Sequence, residues 1–320
     1  LQQPQMPVQS VLRGEQLWQR SQRQESLVSE PRLPSRLRPA GVYLLTGGAS
    51  GIGALISESF ARRQPQGRLV LIAVGRRAAH DVPGLSALQA RIAAQGSQLH
   101  YYRLDISEAA EVRLLCQQIL RQYGQLNGVV HAAGQVAPAD LRRVDYTARV
   151  AVMAPKVNGL RYLREALLEL SLFPDFCVAF SSLSAALPGY GRGLIDYVAA
   201  NHFMDLYAAA VAHTALPLQV IQWGPWQGSG MADHPLLQQQ LASWGIQALM
   251  PEEGVAAFHD FIDGAFSQAL ILKAEHGLQA LVDRLPSLPS PKPMSAPALP
   301  LQSGPSAAVP AAVSEDAVAE

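Results

Sequence analysis

Short runs of aliphatic and β-branched residues recur along the chain at 42–45, 69–74, 99–106, 128–132, 176–181, 218–222 and 270–272. Most are continuously apolar instead of alternating, which is the pattern of parallel strands covered on both faces. Between them the apolar period lengthens. Ile52, Leu55, Ile56 and Phe60 form one helical stripe, and Val112, Leu115, Cys116 and Ile119 form another. Ser107 is placed to cap the second helix and Gly124 to stop it. Strand and helix in alternation predict a doubly wound parallel α/β sheet of about seven strands. No internal repeat is present.

The pattern fades at both ends. Residues 1–38 are polar and glutamine-rich, with prolines at 31, 34 and, just beyond, 39. They read as a linker or as the end of a preceding subdomain, with a short helix over 11–19. Residues 39–285 hold the alternating pattern. From 286 to 320 prolines recur among alanine and serine and aromatic residues vanish, as in an extended, disordered tether that cannot offset its ordering entropy. The last residues, 313–320, turn helical and acidic, as at the start of another domain. A first residue of leucine is what a piece of a longer chain would show.

Composition narrows the class. Lysine plus arginine equals aspartate plus glutamate, 25 against 25, which gives no basis for a nucleic-acid or anionic-membrane partner. No apolar run approaches the roughly 20 residues needed to span a bilayer. The two cysteines, Cys116 and Cys177, fall inside a helix and a strand and read as small buried hydrophobes. A reducing, cytoplasmic setting follows. The histidines share no ligand spacing, so no metal is expected.

Two constellations carry chemistry. Thr46-Gly47-Gly48-Ala49-Ser50-Gly51-Ile52-Gly53 follows the first strand of the pattern and opens a helix. Such a turn lets backbone N–H groups and a helix N-terminus approach a pyrophosphate. The next strand ends in Gly75-Arg76-Arg77, where a site for NAD would carry an acidic residue. Guanidinium groups there complement a 2′-phosphate, which makes NADPH the expected cofactor. The second constellation is Tyr197 and Asn201, one helical turn apart, with Lys156 and Ser182 from other segments. Reduction of a ketone needs a proton donor at the carbonyl oxygen. A tyrosine serves if a nearby ammonium lowers its pKa, and a serine hydroxyl steadies the developing charge.

These residues resemble the ketoreductase domains of modular polyketide synthases, which are Rossmann-like members of the short-chain dehydrogenase/reductase superfamily. The resemblance rests on Pro155-Lys156-Val157-Asn158-Gly159, Phe180-Ser181-Ser182, Asp196-Tyr197 with Asn201-His202-Phe203, and Trp223-Gly224-Pro225-Trp226. Ordinary short-chain dehydrogenases carry lysine where Asn201 stands. The resemblance implies Tyr197 as proton donor, Lys156 as its electrostatic partner, Ser182 as carbonyl ligand and Asn201 in the proton relay. It places Asp105 and Ile106 at the adenine, and His131, Ala132, Ala133, Gly134, Pro225 and Trp226 along the cofactor. Asp105 serves equally as a strand-end cap. The loop from Ser182 to Tyr197 is about two residues longer than the commonest form, which leaves Ser184 as an alternative to Ser182.

Further implications concern partners and product. The substrate would be a β-ketoacyl thioester on an acyl carrier protein. Neighbouring synthase domains would include a structural ketoreductase subdomain, for which residues 1–38 are too short. The aspartates marking one stereochemical class are missing near 136–138, and the tryptophan of the other is missing at Leu187. Lack of the aspartates favours the L-hydroxy product by default, and with neither signature present both hands stay open. The competing readings are a free-standing reductase of small ketones and a non-catalytic scaffold.

Overall fold

A computed structural model describes residues 10–13, 16–19, 35–137, 145–187, 190–191, 193–228, 241–264 and 266–275. The expectations for 20–34 and for 276–320 lie outside the described residues. The chain divides into two units, one of residues 1–20 with 287–320, the other of residues 21–286. In the first, β1 (Ser10–Arg13) and β2 (Gln16–Gln19) pair antiparallel, with Ser10 opposite Gln19. This corrects the helix expected over 11–19. A glycine at 14 disfavours a helix running through this stretch.

The second unit is built on one parallel sheet of seven strands. These are β3 (Val42–Thr46), β4 (Val70–Gly75), β5 (Gln98–Arg103), β6 (Gly128–His131), β7 (Phe176–Ser182), β8 (Gln219–Trp223) and β10 (Gln268–Ile271). Their order is β10-β8-β7-β6-β3-β4-β5, so the chain winds outward from β3 in both directions. The reversal falls between β3 and β6, where Thr46 pairs with Val74 on one side and His131 on the other. Crevices at such a reversal, beyond the carboxyl ends of strands, are where ligands bind open α/β sheets. A small antiparallel pair, β9 (Ile246–Gln247) and β11 (Lys273–Ala274), stands apart from the sheet.

Strand residues alternate between two helix layers. Tyr43, Leu45, Leu71, Val178 and Phe180 face α1 (Gly51–Arg63), α2 (Leu85–Ala94) and α7 (Pro251–Asp263). Val42, Leu44, Ile72, Val129 and Ala179 face α3 (Ala109–Tyr123), α4 (Tyr146–Glu169) and α6 (Ile195–Val211). Phe60 anchors the first layer, edge-on to Tyr43 at 5.2 Å and stacked on Phe258 at 5.9 Å. Cys116 and Cys177 are buried in the second layer, and burial pushes both thiols up to about 12.

Helix ends follow local chemistry. Gly124 closes α3 in the left-handed conformation, its N–H on Leu120 O at 2.9 Å. Ser107 is not the cap of α3, because Asp105 claims it: Asp105 Oδ1 accepts from both the Ser107 N–H and its hydroxyl. The entering segment is tied at the amino ends of the strands. Leu37 is buried, the Arg36 N–H donates to Asp263 Oδ1, and Arg36 Nη1 and Nη2 reach Asp175 O and Gly264 O. Among the described residues no helix is long and apolar enough to cross a membrane, and no group of metal-ligating side chains is present.

Candidate active site

The turn after β3 is shaped by glycines that nothing larger could replace. Gly47 has φ +71°, and a Cβ on Gly53 would stand 2.2 Å from Gly47 O. Ser50, the N-cap of α1, makes no side-chain cap bond, so the first-turn N–H groups keep no side-chain cap where Gly51, Ile52 and Gly53 line the cleft. The Gly48 carbonyl accepts from the Ser57 hydroxyl at 2.7 Å, which folds the turn onto α1. Thr46 Oγ1 accepts from the Ala133 N–H and bonds His131 Nδ1 at 2.9 Å, locking β3 to the strand end that carries Ala132, Ala133 and Gly134.

Two adjoining cavities open along this edge. One of about 250 Å³ is lined by Thr46, Gly47, Ser50, Arg76, Arg77, Asp105, Ile106, Ala133 and Gly134. Its rim carries the exposed Arg76 and Arg77. Arg76 Nη2 donates to Gln135 Oε1 at 2.6 Å, while the Arg77 carbonyl accepts from the Tyr101 hydroxyl. The other, about 300 Å³, shares Gly47, Ser50, Ala133 and Gly134. It adds Gly51, Ile52, Gly53, Ala132, Lys156, Ser182, Tyr197, Pro225 and Trp226. Three expected residues line neither: Gly48, His131 and Asn201 are packed behind the surface. Trp226 is almost wholly buried, with its ring where a Cβ on Gly254 would fall, so most of it is core.

The strand end and two helices bring the polar side chains together. Lys156 on α4 is 5% exposed, and its Nζ donates to Phe180 O at 2.8 Å and lies 5.6 Å from the Tyr197 ring centre. Burial lowers its pKa to about 8, against an opposing pull from Asp205. Ser182 ends β7 and caps the short helix α5 (Leu183–Ala186), and its Oγ accepts from the N–H and the hydroxyl of Ser184. The Tyr197 phenol is raised above the ordinary tyrosine value by burial, with hydrogen bonds from Ser182 and Asn201 pulling it down. That departs from the expectation of a pKa lowered by Lys156, whose ammonium is held by a backbone carbonyl instead. Of the two serines, Ser182 bonds the phenol and Ser184 bonds Ser182. Asn201, fully buried, donates from Nδ2 to Tyr197 O, and its Oδ1 has no partner among the described residues.

Sequence reasoning passed over two residues here, Tyr190 and Asp205. Tyr190 lines the larger cavity and packs edge-on to Trp244. His131 is buried under the turn, and burial with the nearby Lys156 charge pushes it down to about 3. Asp205 is buried two turns along α6 from Tyr197. A signal for Asp205 existed, since positions 197, 201 and 205 make one polar stripe on an apolar helix.

Comparison with known proteins bears on the family and the fold. Residues 41–228 match the family model described as the KR domain. Polyketide synthase PksN of Bacillus subtilis (strain 168) is 31% identical over 242 residues, covering 73% of this chain and 4% of that protein. An N-terminal ketoreductase from the macrolactin assembly line superposes with a TM-score of 0.66 at 32% identity, covering 78% of this chain and 47% of that one. A short-chain dehydrogenase of Burkholderia cenocepacia J2315, solved in complex with NADP, shares the fold at 20% identity and a TM-score of 0.64, covering 76% of this chain and all of that one. The chain thus spans a small fraction of the curated synthase, and it belongs to the ketoreductase domains of the modular polyketide synthases, on the short-chain dehydrogenase/reductase fold.

Proposed function

We propose that residues 39–285 form a catalytic unit that reduces a β-ketoacyl thioester, borne on an acyl carrier protein, to the β-hydroxyacyl thioester at the expense of NADPH. The observation that carries this reading is the cluster of Ser182, Tyr197 and Lys156 at the mouth of a glycine-walled cavity. The residues fit the cofactor. Gly47 and Gly53 leave a cradle that any Cβ would fill, the α1 N-terminus suits a pyrophosphate, and Arg76 and Arg77 are exposed at the cavity rim to meet a 2′-phosphate. When bound, NADPH supplies the hydride that forms the new C–H bond. Asp105 already serves as a local cap for Ser107, so its place at the adenine is a second duty.

The chain's own work is to hold the carbonyl and to deliver a proton. Ser182, steadied by Ser184, donates a hydrogen bond to the carbonyl oxygen. Tyr197 gives its proton to that oxygen as negative charge develops on it. A phenol with a raised pKa is fully protonated at neutral pH, which is the state a donor requires. Lys156 stabilises the phenolate left behind. Asn201, tied to the Tyr197 carbonyl, presents Oδ1 to a proton relay. The proline-rich residues 286–320 suit a tether that raises the local concentration of a carrier domain, and a structural ketoreductase subdomain is the expected neighbour.

The test is loss of NADPH absorbance with a β-ketoacyl thioester mimic, run on wild type and Tyr197→Phe. Turnover by wild type, with the variant down by about 10²-fold or more, is the expected result. NADPH binding without turnover on any β-ketoacyl thioester points to the scaffold reading. Chiral analysis of the product assigns its handedness.

A further inference from the structure

We propose that Asp205 is a positioning residue for the reduction: it is the buried counter-charge of the Lys156 ammonium and acts on Tyr197 through that lysine. This rests on the reading of Tyr197 and Lys156 given above. The argument begins with strand register. Lys156 Nζ is held by Phe180 O on β7. The next residue, Ser181, pairs with Gln222 on β8, and the Gln222 amide donates to the Asp205 carboxylate. Ser181 also donates to Asn201 O, which stitches the same stretch of β7 to α6. Lysine and aspartate thus flank one short segment of the β7–β8 ladder, on the face covered by α4 and α6.

Burial makes that proximity matter. Asp205 is 2% exposed, Gln222 1% and Lys156 5%. An ammonium in such a place loses its hydration and gives up its proton unless an anion compensates. Among the described residues, the titratable and charged groups facing Lys156 are few. His131 comes from β6, Tyr197 and Asp205 from α6, and β7 offers the Phe180 carbonyl. His131, held low by burial, is neutral at working pH, and Tyr197 is a neutral phenol, so Asp205 supplies the negative charge. On α6 the residues 197, 201 and 205 then have successive tasks: proton donor, relay support and counter-charge.

Asp205→Asn removes the charge while its Oδ1 can still accept from Gln222. The alkaline limb of the kcat/KM profile for thioester reduction should move down by about one pH unit, with the rate near pH 6 within a few-fold of wild type. A uniform fall in activity with an unmoved limb would show a merely structural residue and overturn the proposal. A direct readout needs no turnover. The chain has only three lysines, Lys156, Lys273 and Lys292, so 13C-lysine labelling gives three resolvable NMR titrations. One of them, missing in Lys156→Met, should titrate near 8 in wild type and lower in Asp205→Asn. If Asp205→Asn does not fold, wild type alone decides: titration of Lys156 at about 6 or below, the range of uncompensated buried lysines, overturns the proposal. Failure of wild type to reduce any thioester, with this titration as expected, would sink the functional reading and leave the pair standing.

Discussion

Tyr197 keeps its proton at neutral pH because burial outweighs the hydrogen bonds from Ser182 and Asn201, so the donor is ready before a substrate arrives. Its helper can be told apart from its helper's helper. Ser182→Ala removes the hydroxyl that reaches the phenol and should cost about 10²-fold in kcat. Ser184→Ala removes a bond to Ser182 and should cost about tenfold or less, on the scale of one neutral hydrogen bond. Steady-state kinetics on both variants check the order. Replacing Arg76 and Arg77 together by alanine should raise KM for NADPH by about tenfold or more and leave the KM for NADH nearly unchanged. The residue types of the site were legible in the sequence because each is demanded by chemistry at a fixed spacing. The direction of the Tyr197 pKa shift was not, since it depends on how deeply the phenol sits and on the carbonyl that holds Lys156. Asp205 escaped for a related reason: its partners Gln222 and Lys156 come from other elements.

At the scale of elements, most strands of the parallel sheet stood out as apolar runs, because strands covered on both faces carry no polar period to confuse them, while the edge strand β5 carries polar residues along its half-exposed length. Short elements fared worse. The β1–β2 hairpin has four residues a side, too few for either period to assert itself, and Ser107 lost its cap role to a neighbouring aspartate. The turn between β3 and α1 supports a sharp expectation. Gly53→Ala would thrust a methyl onto Gly47 O and should abolish NADPH binding, measured by the cofactor's fluorescence, in a chain that remains folded by circular dichroism. By contrast Phe60→Ala, beneath α1, should cost about 3–5 kcal/mol of stability in a urea melt, because it empties the aromatic contact between Tyr43 and Phe258.

For the whole molecule, the buried histidines set the acid limit. His131 and His259 are each pushed down to about 3, chiefly by burial, whereas an unfolded chain protonates them near the ordinary 6.5. The unfolded state therefore binds more protons between those values, and stability falls as pH drops through that window. Each group contributes a slope of about 1.4 kcal/mol per pH unit, so urea midpoints should fall steeply between pH 6 and 4. His259→Gln should flatten that dependence by about half. At the opposite pole from the chemistry, Arg36 and Leu37 moor the incoming chain to Asp175, Asp263 and Gly264, at the amino ends of the strands. The consequence is mechanical. Those bonds hold residues 36–37 at the rim opposite the glycine turn and Tyr197, so a pull on Arg36 should reach Asp175, Asp263 and Gly264 before the catalytic edge. A graft made ahead of residue 35 should accordingly leave kcat intact, whereas one made past Arg38 should loosen the domain from its base.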